Sequence, residues 1–209
     1  MVRLAHALSI ALHPLFMPVF TLAVALWLDP HLGYFMDLRT RVLVLGMVAL
    51  MTIAFPITSA LLLIRSGMLS GLRMPGRKER IAPYTMTLLY YGMTGFLLAR
   101  SPLHSLVLAL MLGAGAALLL TTLITLRWKI SAHMVGIGGA TGGLFALGSV
   151  HGLPFTVPVG VALLLSGALG TARLLSSDHT PAQVYAGFVL GAVCTSAAVL
   201  VDPRLPIPF

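Results

Sequence analysis

His133 and His179 stand 46 residues apart in a chain that has only seven histidines, and each opens a long apolar run. His179 lies in "ARLLSSDHTPAQ" (172–183), six positions after Arg173 and four before Gln183. His133 ends "LRWKISAH" (126–133), where Arg127, Lys129 and Ser131 precede it at alternate positions. Two imidazoles among guanidinium groups suit phosphoryl transfer. One ring can attack phosphorus and the other can protonate the departing oxygen. Arginines then hold the equatorial oxygens, where charge accumulates in the transition state. Such a scheme requires no metal, and five Asp and Glu in the whole chain are too few for a two-metal site.

Local sequence says how each group is held. Thr180 followed by Pro181 predicts a helix N-terminus just after His179, with Thr180 as cap. The free N–H groups and dipole there favour an anion. Gln183, one turn on, can orient the imidazole. Ser131 is expected to cap the helix that carries His133 in its first turn. A third polar stretch, "RSGMLSGLRMPGRKERIAPY" (65–84), adds Arg73, Arg77, Lys78 and Arg80. The catalytic candidates are thus His179, His133 and Gln183. The phosphate-binding candidates are Arg173, Arg80, Lys78, Arg73, Ser131 and Lys129. No metal ligand and no cofactor is expected.

The rest of the chain has to position these loops. It has 209 residues, of which 58% are hydrophobic and 9% charged, and its mean hydropathy is +1.01. A soluble domain carries about a quarter charged residues, so this chain cannot cover a water-facing surface. Stretches of about twenty apolar residues recur from end to end, and the ten-residue alternation of barrel strands is absent. The expected fold is all-α, a polytopic transmembrane bundle of six or seven spans forming one domain over 1–209. The segments run at about 5–28, 41–65, 82–99, 103–126, 130–150, 154–173 and 181–201, the third short and starting at Pro83. The N-terminal run exceeds a signal-peptide core and is read as a retained first helix. The formal charge of +8 is not gathered in a basic domain with interleaved aromatics, so nothing supports a nucleic-acid surface. Cys194 is alone, so no intramolecular disulfide forms.

If all seven segments cross, the three polar loops follow the second, fourth and sixth. Even numbers of crossings separate them, and they share one membrane face.

Together these loops resemble the three signature motifs of the type 2 phosphatidic acid phosphatase superfamily of membrane lipid phosphatases. The third motif, S-R-x5-H-x3-D, is met by Ala172-Arg173, five residues, His179, three residues and Gln183. The second, P-S-G-H, is met by Ile130-Ser131-Ala132-His133. The first, K-x6-R-P, is approximated by Arg73, six residues and Arg80, with the proline displaced to Pro83. The resemblance covers about 73–191. It implies that His179 becomes phosphohistidine, that His133 releases the lipid alcohol, and that Arg173, Arg80 and Arg73 clamp the phosphate, with Ser131 a further donor. Gln183 stands where the family has an aspartate, and Asp178 is the nearest carboxylate by sequence.

The function expected is hydrolysis of a lipid phosphate or pyrophosphate headgroup, such as polyprenyl pyrophosphate, phosphatidic acid or phosphatidylglycerol phosphate. The alternatives are a lipid phosphotransferase and a non-catalytic headgroup transporter or flippase. The expected partners are that lipid substrate and the membrane lipids. The expected location is a bacterial inner membrane, crossed several times. The motif face would hold Arg3, Arg65, Arg73, Arg77, Lys78, Arg80, Arg127, Lys129 and Arg173, against Arg39, Arg41, Arg100 and Arg204. The positive-inside rule read directly makes that face cytoplasmic; the resemblance implies the outward one.

Other polar residues have plainer readings. Lys129 can serve as a headgroup anchor and Arg77 as part of a solvated turn. His6, His13, His31, His104 and His151 read as core or loop residues whose scattered positions give no metal spacing. The "GIGGATGG" run (136–143) lies inside a span and reads as close helix packing.

Overall fold

The computed structural model describes residues 2–34, 36–72, 74, 76–176 and 179–201. Among them every regular element is helical. The first span is broken. Helix α1 (Val2–Ala11) ends before His13-Pro14, and α2 (Met17–Leu28) resumes after a 3-10 turn over Pro14–Phe16. Pro14 has no N–H to continue the helix, and the His13 Nδ1 accepts the Leu15 N–H at 3.3 Å instead. A short helix α3 (Pro30–Tyr34) follows. The second span is α4 (Leu38–Ala49), a π-helical turn over Leu50–Ala54, and α5 (Phe55–Arg65). The π turn sits just ahead of Pro56, whose missing N–H makes it a natural place for the ladder to slip. Then come α6 (Ile81–Ala99), α7 (Ser105–Thr125), α8 (Ala132–His151), α9 (Thr156–Leu175) and α10 (Pro181–Leu200).

Six helical stretches are long and apolar enough to cross a membrane: Arg3–Leu28, Leu38–Arg65, Ser105–Thr125, Ala132–His151, Thr156–Leu175 and Pro181–Leu200. The protein is a multi-pass helical membrane bundle. Helix α6 falls outside that set because tyrosines and threonines dilute it. Its Thr87 and Thr94 hydroxyls return to the carbonyls one turn back at 2.7 and 2.8 Å, and Tyr90 meets Ser59 of α5 at 2.6 Å. It nevertheless pairs along α7. A connection of only 100–104 joins the far ends, while Arg77, just before α6, donates to the carbonyl of Arg127, just after α7. At 1.5 Å per residue α6 is about 28 Å long, close to the hydrocarbon thickness of about 30 Å. It therefore runs beside the six over the same depth as α7.

Helix α8 is the most enclosed span, and its glycines are the reason. A Cβ on Gly138 would come within 2.2 Å of the Phe188 carbonyl oxygen, and one on Gly142 within 2.4 Å of that of Ala192. From the other side, a Cβ on Gly191 would meet the Val135 oxygen at 2.0 Å and one on Gly187 the Ser131 oxygen at 2.7 Å. Lipid gives apolar helices no hydrophobic drive to associate, so close backbone approach at small residues supplies the packing. The α8–α10 contact begins at Ser131, and so it fixes where the His133 turn meets the start of α10.

Candidate functional site

The N-terminus of α10 sets the first histidine. Thr180 and Gln183 form a capping box: the Gln183 N–H donates to Thr180 Oγ1 at 3.4 Å, and the Thr180 N–H donates to Gln183 Oε1 at 3.2 Å. The same Oε1 lies 3.2 Å from His179 Nδ1. Because it already accepts a backbone N–H, this atom is the amide oxygen. Nδ1 must then be the donor, and Nε2 keeps its lone pair.

His179 is buried and surrounded by cations. Burial pushes its pKa down to about 4, with Arg173, Arg80 and Lys129 adding to the effect and the Gln183 hydrogen bond opposing it. The ring is neutral at neutral pH, as an attacking nitrogen must be.

The cations arrive from three separate connections. Arg80 ends the 3-10 turn Lys78–Arg80 and is buried. Its Nε donates to the Met74 carbonyl at 3.1 Å, and it also hydrogen-bonds Tyr84. Arg173, in the last turn of α9, reaches Ser9 Oγ of α1 at 3.4 Å through a terminal nitrogen. Lys129 comes from the loop before α8 and lies within electrostatic reach of His179. It belongs with the histidine as well as with the membrane surface.

His133 occupies the first turn of α8. Its Nε2 donates to the Ser9 carbonyl at 3.0 Å, which leaves Nδ1 without that proton. The ring of His13 packs edge-on against it, centroids 5.3 Å apart at 80°. Arg173, His13 and His179 all lie within its electrostatic reach. Among the described residues no acidic side chain joins the group. Asp29 and Asp37 flank other helices, and Glu79 accepts from the Ser70 hydroxyl. Three cations and three histidines, with no carboxylate among the described residues, are complementary to an anion.

No family model, no curated protein and no solved structure matches the chain. The site is read from its own geometry.

That geometry gathers His179, Gln183, His133, Arg173, Arg80 and Lys129. It leaves Lys78 exposed on its turn, and Arg73 and Asp178 lie outside the described residues. Ser131 requires a correction. It sits at the N-cap position of α8, but its hydroxyl makes no cap bond. Its ψ is 100°, against 160° at Thr180 and 164° at Asp37, both of which do cap. Packing on α10 imposes that turn, through a hydrogen bond from the Ser131 N–H to the Gln183 carbonyl at 3.3 Å. Its Oγ is left fully buried without a protein partner.

A second correction concerns the histidines taken as isolated. His13 belongs to this cluster, and Ser9 and Tyr84 join it. The available signal was polar residues within a span beside a helix-breaking proline, where an ionisable group is costly. His31, His104 and His151 also meet, at the other end of the bundle.

Proposed function

We propose that the protein is a membrane lipid phosphatase, a divergent relative of the type 2 phosphatidic acid phosphatases, acting through phosphohistidine at His179. One observation carries the reading: Gln183 fixes the His179 tautomer that leaves Nε2 free, inside a cluster of three cations with no described carboxylate. Attack of the Nε2 lone pair on phosphorus forms the N–P bond, and the bond to the lipid oxygen breaks. His133 supplies the proton to that oxygen. Its Nε2–H is committed to the Ser9 carbonyl, so the transferable proton is a second one on Nδ1, and the arriving phosphate provides the negative charge that favours it. Arg173 and Arg80 hold the remaining oxygens, and the buried Ser131 hydroxyl is a further donor. Water then cleaves the N–P bond and releases phosphate.

The chain sits in a bacterial inner membrane in this reading, with the site on the outward face. A lipid phosphotransferase would use the same first step and pass phosphate to a lipid hydroxyl. The deciding experiment is phosphate release by purified protein on a panel of lipid phosphates and pyrophosphates, wild type against His179→Ala, with acid-labile phosphoprotein trapped in parallel. Release and trapping confined to wild type are expected. Equal rates for both proteins with headgroup binding intact would leave the transporter reading instead.

A further inference from the structure

His133 and His151 stand at the two ends of α8, about 27 Å apart at 1.5 Å per residue. The cluster around His151 is therefore separate from the phosphate-type site, almost a membrane thickness away. Asp29 follows the last turn of α2, His31 lies in α3, and His151 closes α8 ahead of the left-handed Gly152. One donor atom from each of Asp29, His31 and His151 lies within 4.8 Å of the others. The carboxylate is oriented: Oδ1 accepts the His31 N–H at 2.9 Å, and Oδ2 is 2.6 Å from His151 Nδ1. The His31 and His151 rings are tilted 37° to one another with centroids 4.3 Å apart.

Asp29 is only 1% exposed. Burying a carboxylate is expensive unless a full counter-charge accompanies it. Arg41, which reaches the same corner, spends Nη2 and Nε on the carbonyls of Gly33 and Met36 at 2.6 and 3.0 Å. That leaves the His31 and His151 side chains as the groups gathered around the carboxylate. A divalent ion held by both rings compensates the buried carboxylate. Zn²⁺ takes nitrogen and oxygen donors at about 2.0–2.2 Å, which sets tetrahedral donors roughly 3.4 Å apart. All three donor atoms here lie within 4.8 Å of one another, close enough to converge on one ion.

We propose that Asp29, His31 and His151 bind a divalent transition-metal ion of the Zn²⁺ class, with one solvent molecule as fourth ligand. The ion fastens the α2–α3 corner to the end of α8. The hydrogen bond from the His31 N–H to Oδ1 holds the ligating carboxylate in orientation.

The test uses the full chain in detergent, stripped with chelator and titrated with Co²⁺ or Zn²⁺. One bound equivalent, the visible bands of four-coordinate Co²⁺ and a higher thermal midpoint with Zn²⁺ are expected. His31→Gln keeps the Asp29–His151 pair and should leave the metal-free midpoint unchanged. It should weaken Co²⁺ binding by more than the roughly 10–100-fold that follows loss of a ligand's outer hydrogen-bond partner. His179→Gln controls for the histidines at the opposite face and should keep the full equivalent. The proposal is overturned if wild type binds no stoichiometric ion, if His31→Gln binds as wild type does, or if the equivalent disappears in His179→Gln alone.

Discussion

Gln183 illustrates how one side chain can serve two masters. Its amide oxygen completes a helix cap and also orders the imidazole beside it, so its removal touches both folding and chemistry. An amide cannot offset charge on the ring, whereas a carboxylate would. In the proposed reaction the neutral form of His179 attacks, and its pKa is held near 4. Activity limited by this group should therefore stay level as pH falls through 6 and decline only on approaching 4. Gln183→Asp raises the pKa, moving that acid limb toward the ordinary histidine value of about 6.5 while preserving or raising turnover at neutral pH. A pH profile of kcat/KM for both proteins checks this, and coincident acid limbs would remove Gln183 from its orienting role. Arg173 is the second residue-level case. Lysine in its place cannot reproduce planar two-point contact with phosphate, so Arg173→Lys should cost at least about tenfold in kcat/KM. Lys129→Ala, which deletes a point charge at the rim, should cost less. Equal losses would contradict that division.

At the scale of elements, the α8–α10 contact controls whether the site exists. The Ser131–Gln183 backbone hydrogen bond ties the His133 turn to the His179 cap, and it needs the glycine seam below it. Gly138→Ala or Gly191→Ala places a methyl against backbone atoms that cannot rotate away. Overpacking of this kind costs about 1–3 kcal/mol and should lower both the thermal midpoint and phosphate release. Gly115→Ala and Gly160→Ala are suitable controls, since a Cβ at either meets nothing within 4 Å. Thermal melts of the four variants in one detergent decide the matter: no difference between the two pairs would mean the seam is not tightly packed in the membrane.

For the molecule as a whole, the number of crossings governs which loops can cooperate. If α6 crosses as α7 does, the turn before α6 and the loop 126–131 lie on one face and the 100–104 loop on the other. Lys78→Cys and Pro102→Cys put thiols at exposed positions in two of these connections, in a chain whose Cys194 has been replaced by Ala. In sealed vesicles an impermeant maleimide should label the two from opposite sides. Labelling from the same side would mean that α6 does not cross, and the shared-site geometry would fall with it.

Composition alone dictated a helical membrane bundle. With 9% charged residues the chain has nothing with which to face water, and every backbone group in lipid must be bonded within its own helix. Turn chemistry was equally local: Thr180-Pro181 followed by Gln183 spells a capped helix start, so the His179–Gln183 pair was legible from four residues. Helix α6 was less so, because its tyrosines and threonines lower its hydropathy while several of their hydroxyls bond inside the bundle. Tertiary structure alone decided the rest. Ser131 lost its capping role because close packing on α10 turned it away from its own helix. His13 joined His133, and His31 joined His151, across 120 residues of sequence in each case. Sequence spacing carries metal or catalytic geometry only within one turn or loop; between helices, the seams that set their depth and rotation decide which side chains meet.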